Sequence, residues 1–172
     1  VPDGIGTMCH EFSHCLGLPD FYDTSGNDQS NVGMSGWSLM DYGCYNNGGR
    51  TPCAYTAYER AFAGWMTLTE LSAPQAVQGM KCISDAPEAY VIYNDANRSE
   101  CYILDNHQEK EWDSDAAASG LLITHVDYSE QAWADNVVNN DANRLRCTVM
   151  PADGLRTHNT LASDLYPNAS GN

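Results

Sequence analysis

The densest chemistry in this chain is a five-residue run: His10 and His14 stand four apart with Glu11 directly after the first, in the order His-Glu-x-x-His. On a helix each residue turns about 100°, so residues four apart share a face. Two imidazoles one turn apart suit two cis positions on a tetrahedral Zn2+. Glu11, offset by one residue, lies beside such a metal rather than on it, where a carboxylate can take a proton from water held there. Gly17 accepts the left-handed conformation that ends a helix. The chain then reverses and returns Leu18-Pro19-Asp20 under the metal, which makes Asp20 a candidate third ligand through a carboxylate oxygen. Accident explains His-Glu-x-x-His alone far more easily than it explains the same motif with Gly17 and Asp20 at these spacings.

The elements that must position these groups follow from periodicity. A helix is expected from about Ile5 to Leu16, with Ile5, Met8, Cys9, Phe12 and Leu16 gathered opposite the histidines as a core face. Residues 20–36 read as a polar loop. Asp23, Asn27 and Asp28 around Gly26 place oxygen ligands at short spacing and suit Ca2+, although Asx-rich turns are common without metal. Residues 51–65 read as a second helix with Thr51 as N-cap, Pro52 in the first turn and Tyr55, Tyr58, Phe62 and Trp65 as its apolar stripe. Glu59 and Arg60 read as a surface or local ion pair. From about Thr67 the helical period gives way to short runs of β type: 81–83, 90–93, 101–104, 121–128 and 147–150. The expected fold class is therefore α+β. Its expected division is a helical catalytic part over residues 1–66 and an antiparallel, sandwich-like β module over 67–172, incomplete at its C-terminal end.

Downstream of Asp20 comes Ser38-Leu39-Met40-Asp41-Tyr42-Gly43. Together with the extended histidine motif it resembles the metzincin zinc peptidases and their Met-turn, with Asp20 where a third histidine is usual. Within that clan, HEFSHCLGLPDFYD, GWSLMDYG and GLLITHVDY followed by ADG are similar to the immune inhibitor A-type secreted metallopeptidases of bacteria. Ser13 departs from the glycine common in those enzymes but keeps a small residue. The resemblance implies a zinc endopeptidase, secreted or at the bacterial cell surface, that acts on protein or peptide substrates. Met40 would then be an apolar floor beneath the ligands. Tyr42 stands at the offset from Met40 where related branches place a tyrosine facing the zinc, and would donate its phenol proton to the tetrahedral oxyanion. The 51–65 helix would close the lower subdomain. An upper subdomain, whose edge strand binds substrate by strand addition, would precede the zinc helix. On this expectation the chain is a piece of a longer polypeptide and partners its upstream and downstream parts. Alone it would bind zinc weakly, cleave slowly and expose Ile5, Met8 and Phe12.

Composition sets the outer bounds. The chain has 172 residues, a formal net charge of −15 and a sequence pI of about 4.3. Such a surface repels nucleic acid and anionic membranes. No apolar run approaches the roughly 18 residues of a membrane span. Seven cysteines leave at least one without an intrachain partner. Cys44 and Cys53 bracket an Asn/Gly-rich loop that a disulfide could close, and Cys82 and Cys101 could join neighbouring strands. His125 and Asp127 share a strand face, so a second metal site is conceivable there, with a structural strand histidine the simpler reading. His107 and His158 read as surface residues. The sequence NDANR occurs at 94–98 and again at 140–144, as a duplicated hairpin or as coincidence in Asn-rich turns. Two rival functions remain. One is a non-catalytic surface-binding module with a structural or vestigial zinc, against which Glu11 argues. The other is a gluzincin-type aminopeptidase, against which Gly17, Asp20 and Met40 argue.

Overall fold

The computed structural model describes residues 4–26 and 31–167. Helix α1 spans Ile5–His14 and stops short of the expected Leu16, while Gly17 takes the anticipated left-handed turn at φ +87°. Its buried residues are Gly6, His10 and Ser13. This histidine face, not the apolar one, lies against the rest of the chain. Gly6 permits that approach, because a Cβ there would come within 1.8 Å of the Cys44 carbonyl oxygen. Ile5, Met8 and Phe12 are 47%, 71% and 63% exposed, so the expected core face is instead the exposed apolar surface that the resemblance anticipates.

Residues 31–56 are irregular, with short 3-10 turns at Ser35–Trp37 and Tyr42–Gly49. The second helix is shorter than expected. Helix α2 spans Ala57–Phe62, and its N-cap is Thr56, not Thr51. A capping box explains the start: the Thr56 hydroxyl accepts from the Glu59 N–H, while the Glu59 carboxylate reaches back to the Thr56 N–H. Glu59 is fully buried, which corrects its reading as a surface group. One carboxylate oxygen accepts from the Thr56 N–H at 2.6 Å and hydroxyl at 2.8 Å. The other accepts from the Ser38 hydroxyl at 2.6 Å. Burial pushes its pKa up, against the pull of these donors. Glu59→Ala would leave several buried donors unpaired, at a cost of about 3 kcal/mol in urea unfolding. A loss no larger than the roughly 1 kcal/mol of an ordinary cap would show that Glu59 does not tie the 38–40 segment to α2.

Five strands follow: β1 (Thr69–Glu70), β2 (Ala89–Asn94), β3 (Asn97–His107), β4 (Gly120–Asp127) and β5 (Cys147–Val149). They form one sheet in sequential order, with β1 parallel to β2 and the remaining pairs antiparallel. The fold is α+β. The expected sandwich is not formed among the described residues. Val91, Ile103, Leu122, Val126 and Val149 of the inner face share a single hydrophobic cluster with Leu18, Phe21, Met34, Met40 and Tyr58. The first part of the chain thus covers the face that a second sheet would have covered. The short helix α3 (Glu130–Ala134) lies between β4 and β5. The two NDANR copies differ in setting. The first is the β2–β3 turn and the second lies in the irregular run before β5, so no hairpin is duplicated. All seven cysteines are free. Cys82 bridges to Asn106, five residues along β3 from Cys101, a separation of about 16 Å that no disulfide spans.

His107 is buried at 1% exposure, not superficial. Its two ring nitrogens face Asp105 at 3.0 Å and Asp113 at 3.1 Å. Both must donate, so the ring is an imidazolium. The same two carboxylates accept the N–H groups of Ala57 and Ala54, which fixes the entry to α2 on β3. Burial pulls the His107 pKa down, but the two carboxylates outweigh it and push it up to about 10 from 6.5. Stability from this cluster is fully present below 6.5 and lost as pH rises through about 10. His107→Gln should therefore flatten the decline in unfolding free energy over that window. Identical pH slopes in the two proteins would exclude the charged ring.

Candidate metal centre

Three side chains converge where α1 ends. His10, His14 and Asp20 each offer one ligand atom, and these atoms lie within 4.8 Å of one another. Local structure sets each one. The Nδ1 of His10 donates to the Leu39 carbonyl at 2.8 Å, and the Nδ1 of His14 donates to the Leu18 carbonyl at 2.8 Å. Both Nε2 atoms are thereby turned toward Asp20. The reversal at Gly17 delivers Leu18 back to the helix, and the Phe21 N–H donates to the Met40 carbonyl at 2.8 Å. That bond holds the returning strand against the segment that contains Met40, itself fully buried.

Asp20 Oδ1 lies 2.9 Å from His10 Nε2 and 3.5 Å from His14 Nε2. That oxygen is buried, and in the metal-free protein its close contact with His10 Nε2 is a charged pair that holds a proton where a cation would sit. A buried carboxylate oxygen facing two ring nitrogens, each ring held by a carbonyl through its other nitrogen, is a donor set that a cation completes in place of a proton. Zinc bonds of about 2.0–2.1 Å in a tetrahedron would set ligand atoms about 3.3 Å apart, close to what is seen. The residues present fit Zn2+. Without a metal, burial pulls the His10 pKa down, but the Asp20 carboxylate, with smaller help from Cys44 and the Leu39 carbonyl, pushes it up to about 10.

Glu11 is exposed beside this cluster and lines a cleft of about 270 Å3 with His10, Tyr22, Tyr42 and Tyr45. Tyr42 lines the same cleft as Glu11 and His10. Its ring meets His158 edge-on at 4.8 Å, and His158 Nδ1 lies 2.7 Å from the Ser35 hydroxyl. His158 is therefore half-buried against the cleft wall, not a surface residue. Sequence reasoning also passed over Tyr22. Its ring stacks 6.4 Å from His10, and burial together with the Asp20 carboxylate pushes its phenol up to about 12. Its place two residues after Asp20 was the available signal. A larger apolar groove of about 630 Å3 opens on the exposed side of α1, lined by Met8, Phe12 and Trp65, away from the histidines.

The other candidates part from this centre. Asp23 uses both carboxylate oxygens within its loop, accepting from the Ser25 N–H and the Asn31 amide at 2.8 Å each. Asn27 and Asp28 lie outside the described residues, and among the described residues nothing supports calcium. His125 sits on the outer face of an interior strand, 3.0 Å from Glu100, while Asp127 pairs with Arg144 and Arg146. No metal cluster forms there among the described residues.

No curated protein and no solved structure matches this chain. A family model does match, over residues 2–67, the stretch that carries the three converging side chains, Glu11 and Tyr42. Over that stretch the chain is similar to the catalytic domain of the immune inhibitor A peptidases, family M6.

Proposed function

We propose that this chain carries the catalytic centre of a zinc endopeptidase, with His10, His14 and Asp20 as the metal ligands. The observation that carries the reading is the buried Asp20 Oδ1 lying 2.9 and 3.5 Å from two Nε2 atoms whose opposite ring nitrogens are tied to carbonyls. A bound zinc would supply a Lewis acid that polarises water and the substrate carbonyl. Glu11 takes a proton from the attacking water and passes it to the leaving nitrogen. Tyr42 donates its phenol hydrogen to the oxygen on which charge develops. The exposed Glu11 and the tyrosine-lined cleft favour a catalytic over a purely structural metal, because a structural site needs neither. Secretion or cell-surface placement in a bacterium belongs to this proposal and rests on the resemblance alone.

The test is metal analysis coupled to hydrolysis of unfolded casein, before and after chelation. With zinc supplied in excess, up to one zinc per chain and zinc-restored hydrolysis are expected, both strongest in a longer polypeptide that carries this segment. Chelator-insensitive hydrolysis, or no bound zinc, would remove the proposal. Tyr42→Phe should lower kcat about 10²-fold with zinc content unchanged. If Tyr22→Phe lowers kcat and Tyr42→Phe does not, the donor is the neighbouring phenol.

A further inference from the structure

Asp20 is the one ligand outside α1, and neither the Phe21 N–H bond to the Met40 carbonyl nor the His10 pair engages its backbone N–H or its Oδ2. The contact that does comes from 116 residues downstream. The Asp20 N–H donates to Asn136 Oδ1 at 2.7 Å, and Asn136 Nδ2 donates to Asp20 Oδ2 at 2.6 Å. One amide therefore grips both the backbone and one carboxylate oxygen of Asp20, and leaves Oδ1 as the atom that faces His10 and His14. We propose that Asn136 is the positioning residue of the metal centre, holding Asp20 as a one-oxygen ligand and making the sheet half of the chain part of the site. This rests on the zinc reading above.

The local geometry of Asn136 is specific. It follows α3 in a left-handed conformation, φ 56°, which asparagine and glycine tolerate better than other residues. Its carbonyl accepts from the Thr24 hydroxyl at 2.7 Å, and Asn140 Oδ1 accepts from the Thr24 N–H at 2.9 Å. Asn139, fully buried, donates to the carbonyls of Phe21 and Cys147 at 2.7 Å each. It also accepts from the N–H groups of Arg146 and Cys147. The 136–140 loop is thus fastened on one side to residues 20–24 and on the other to β5. A carboxylate held at Oδ2 by a neutral amide donor keeps its charge for the cation, and cannot rotate to offer both oxygens without breaking that bond.

The chemistry predicts linkage: zinc binding should stabilise the sheet half as well as α1, through this one side chain. The experiment compares wild type, Asn136→Gly, Asn136→Asp and Thr24→Val by competition with a chromophoric zinc chelator and by the visible spectrum of the Co2+-loaded proteins. Asn136→Gly keeps the left-handed backbone and removes both bonds. Asn136→Asp keeps the shape and the backbone acceptor but puts an oxygen in place of the donor. Thr24→Val loosens the same loop without touching Asp20. Both Asn136 variants should bind zinc about 10–100-fold more weakly and show altered Co2+ bands, because the carboxylate is released. Thr24→Val should keep wild-type affinity and bands. Should Asn136→Gly fail to fold, Asn136→Asp carries the same expectation. Wild-type affinity in the Asn136 variants, or an equal loss in Thr24→Val, would overturn the proposal while leaving the zinc reading in place. A wild-type protein that binds no zinc would overturn both.

Discussion

Glu11→Gln should abolish most peptide hydrolysis while the protein keeps its metal. Glu11 stands one residue from a ligand on α1, is exposed, and lines the cleft with His10 and Tyr42. Among the described residues it accepts no hydrogen bond that would give it a structural task, so the amide should fold as the acid does. What is lost is a base that can take a proton from water and return it to the leaving nitrogen. A positioned acid–base group is worth about 10²–10⁴ in rate, so kcat should fall by that factor. Zinc content and unfolding temperature should match wild type. Zinc-loaded Glu11→Gln that keeps most of its casein hydrolysis would refute the assignment. A fall in zinc content would instead move Glu11 from base to ligand.

The second large effect is on metal affinity and its dependence on pH. Asp20→Ala removes a ligand outright, so zinc affinity should fall by more than the roughly 10–100-fold that follows loss of an outer partner. A near-normal affinity would favour the gluzincin alternative, in which the third ligand comes from elsewhere. The proton balance gives an independent check. In the metal-free protein burial raises the pKa of Asp20, but His10 and Asn136 outweigh it and hold it below its ordinary 3.8. His10 is pushed up to about 10. The stability of the pair therefore appears above the unfolded Asp20 value, is lost as pH falls through the depressed one, and on the alkaline side is lost as pH rises through about 10. Zinc must displace the His10 proton throughout that window, so apparent affinity should rise with pH and about one proton should be released per ion. With Asp20→Ala the His10 proton is held less tightly, and the slope near neutrality should flatten. Calorimetry in buffers of different ionisation enthalpy measures the protons directly. No proton release from wild type at neutral pH would contradict the His10–Asp20 pair.

The sequence by itself determined the local part of this centre. His10, Glu11 and His14 are related by the helical repeat, Gly17 by its freedom to reverse the chain, and Asp20 by the short return that follows. Each relation spans a few residues of backbone with a known pitch, so spacing alone carried it. The strands β2 to β5 were legible for the same reason: alternation is local, and four of the five expected β runs form strands, whereas 81–83 contributes only the Cys82 bridge. What only the tertiary structure decided is which of the remaining polar groups are buried and against what. Glu59, His107 and His158 read as surface residues because side-chain type is the only local evidence of burial, and their partners at Ser38, Asp113 and Tyr42 come from separate turns of the chain. The apolar face of α1 reads as core for the same reason, yet packing went to the histidine side, where Gly6 admits the Cys44 carbonyl. Asn136 had no signal at all. Its contact with Asp20 crosses 116 residues, and only the folding of the sheet against residues 18–66 brings the two together.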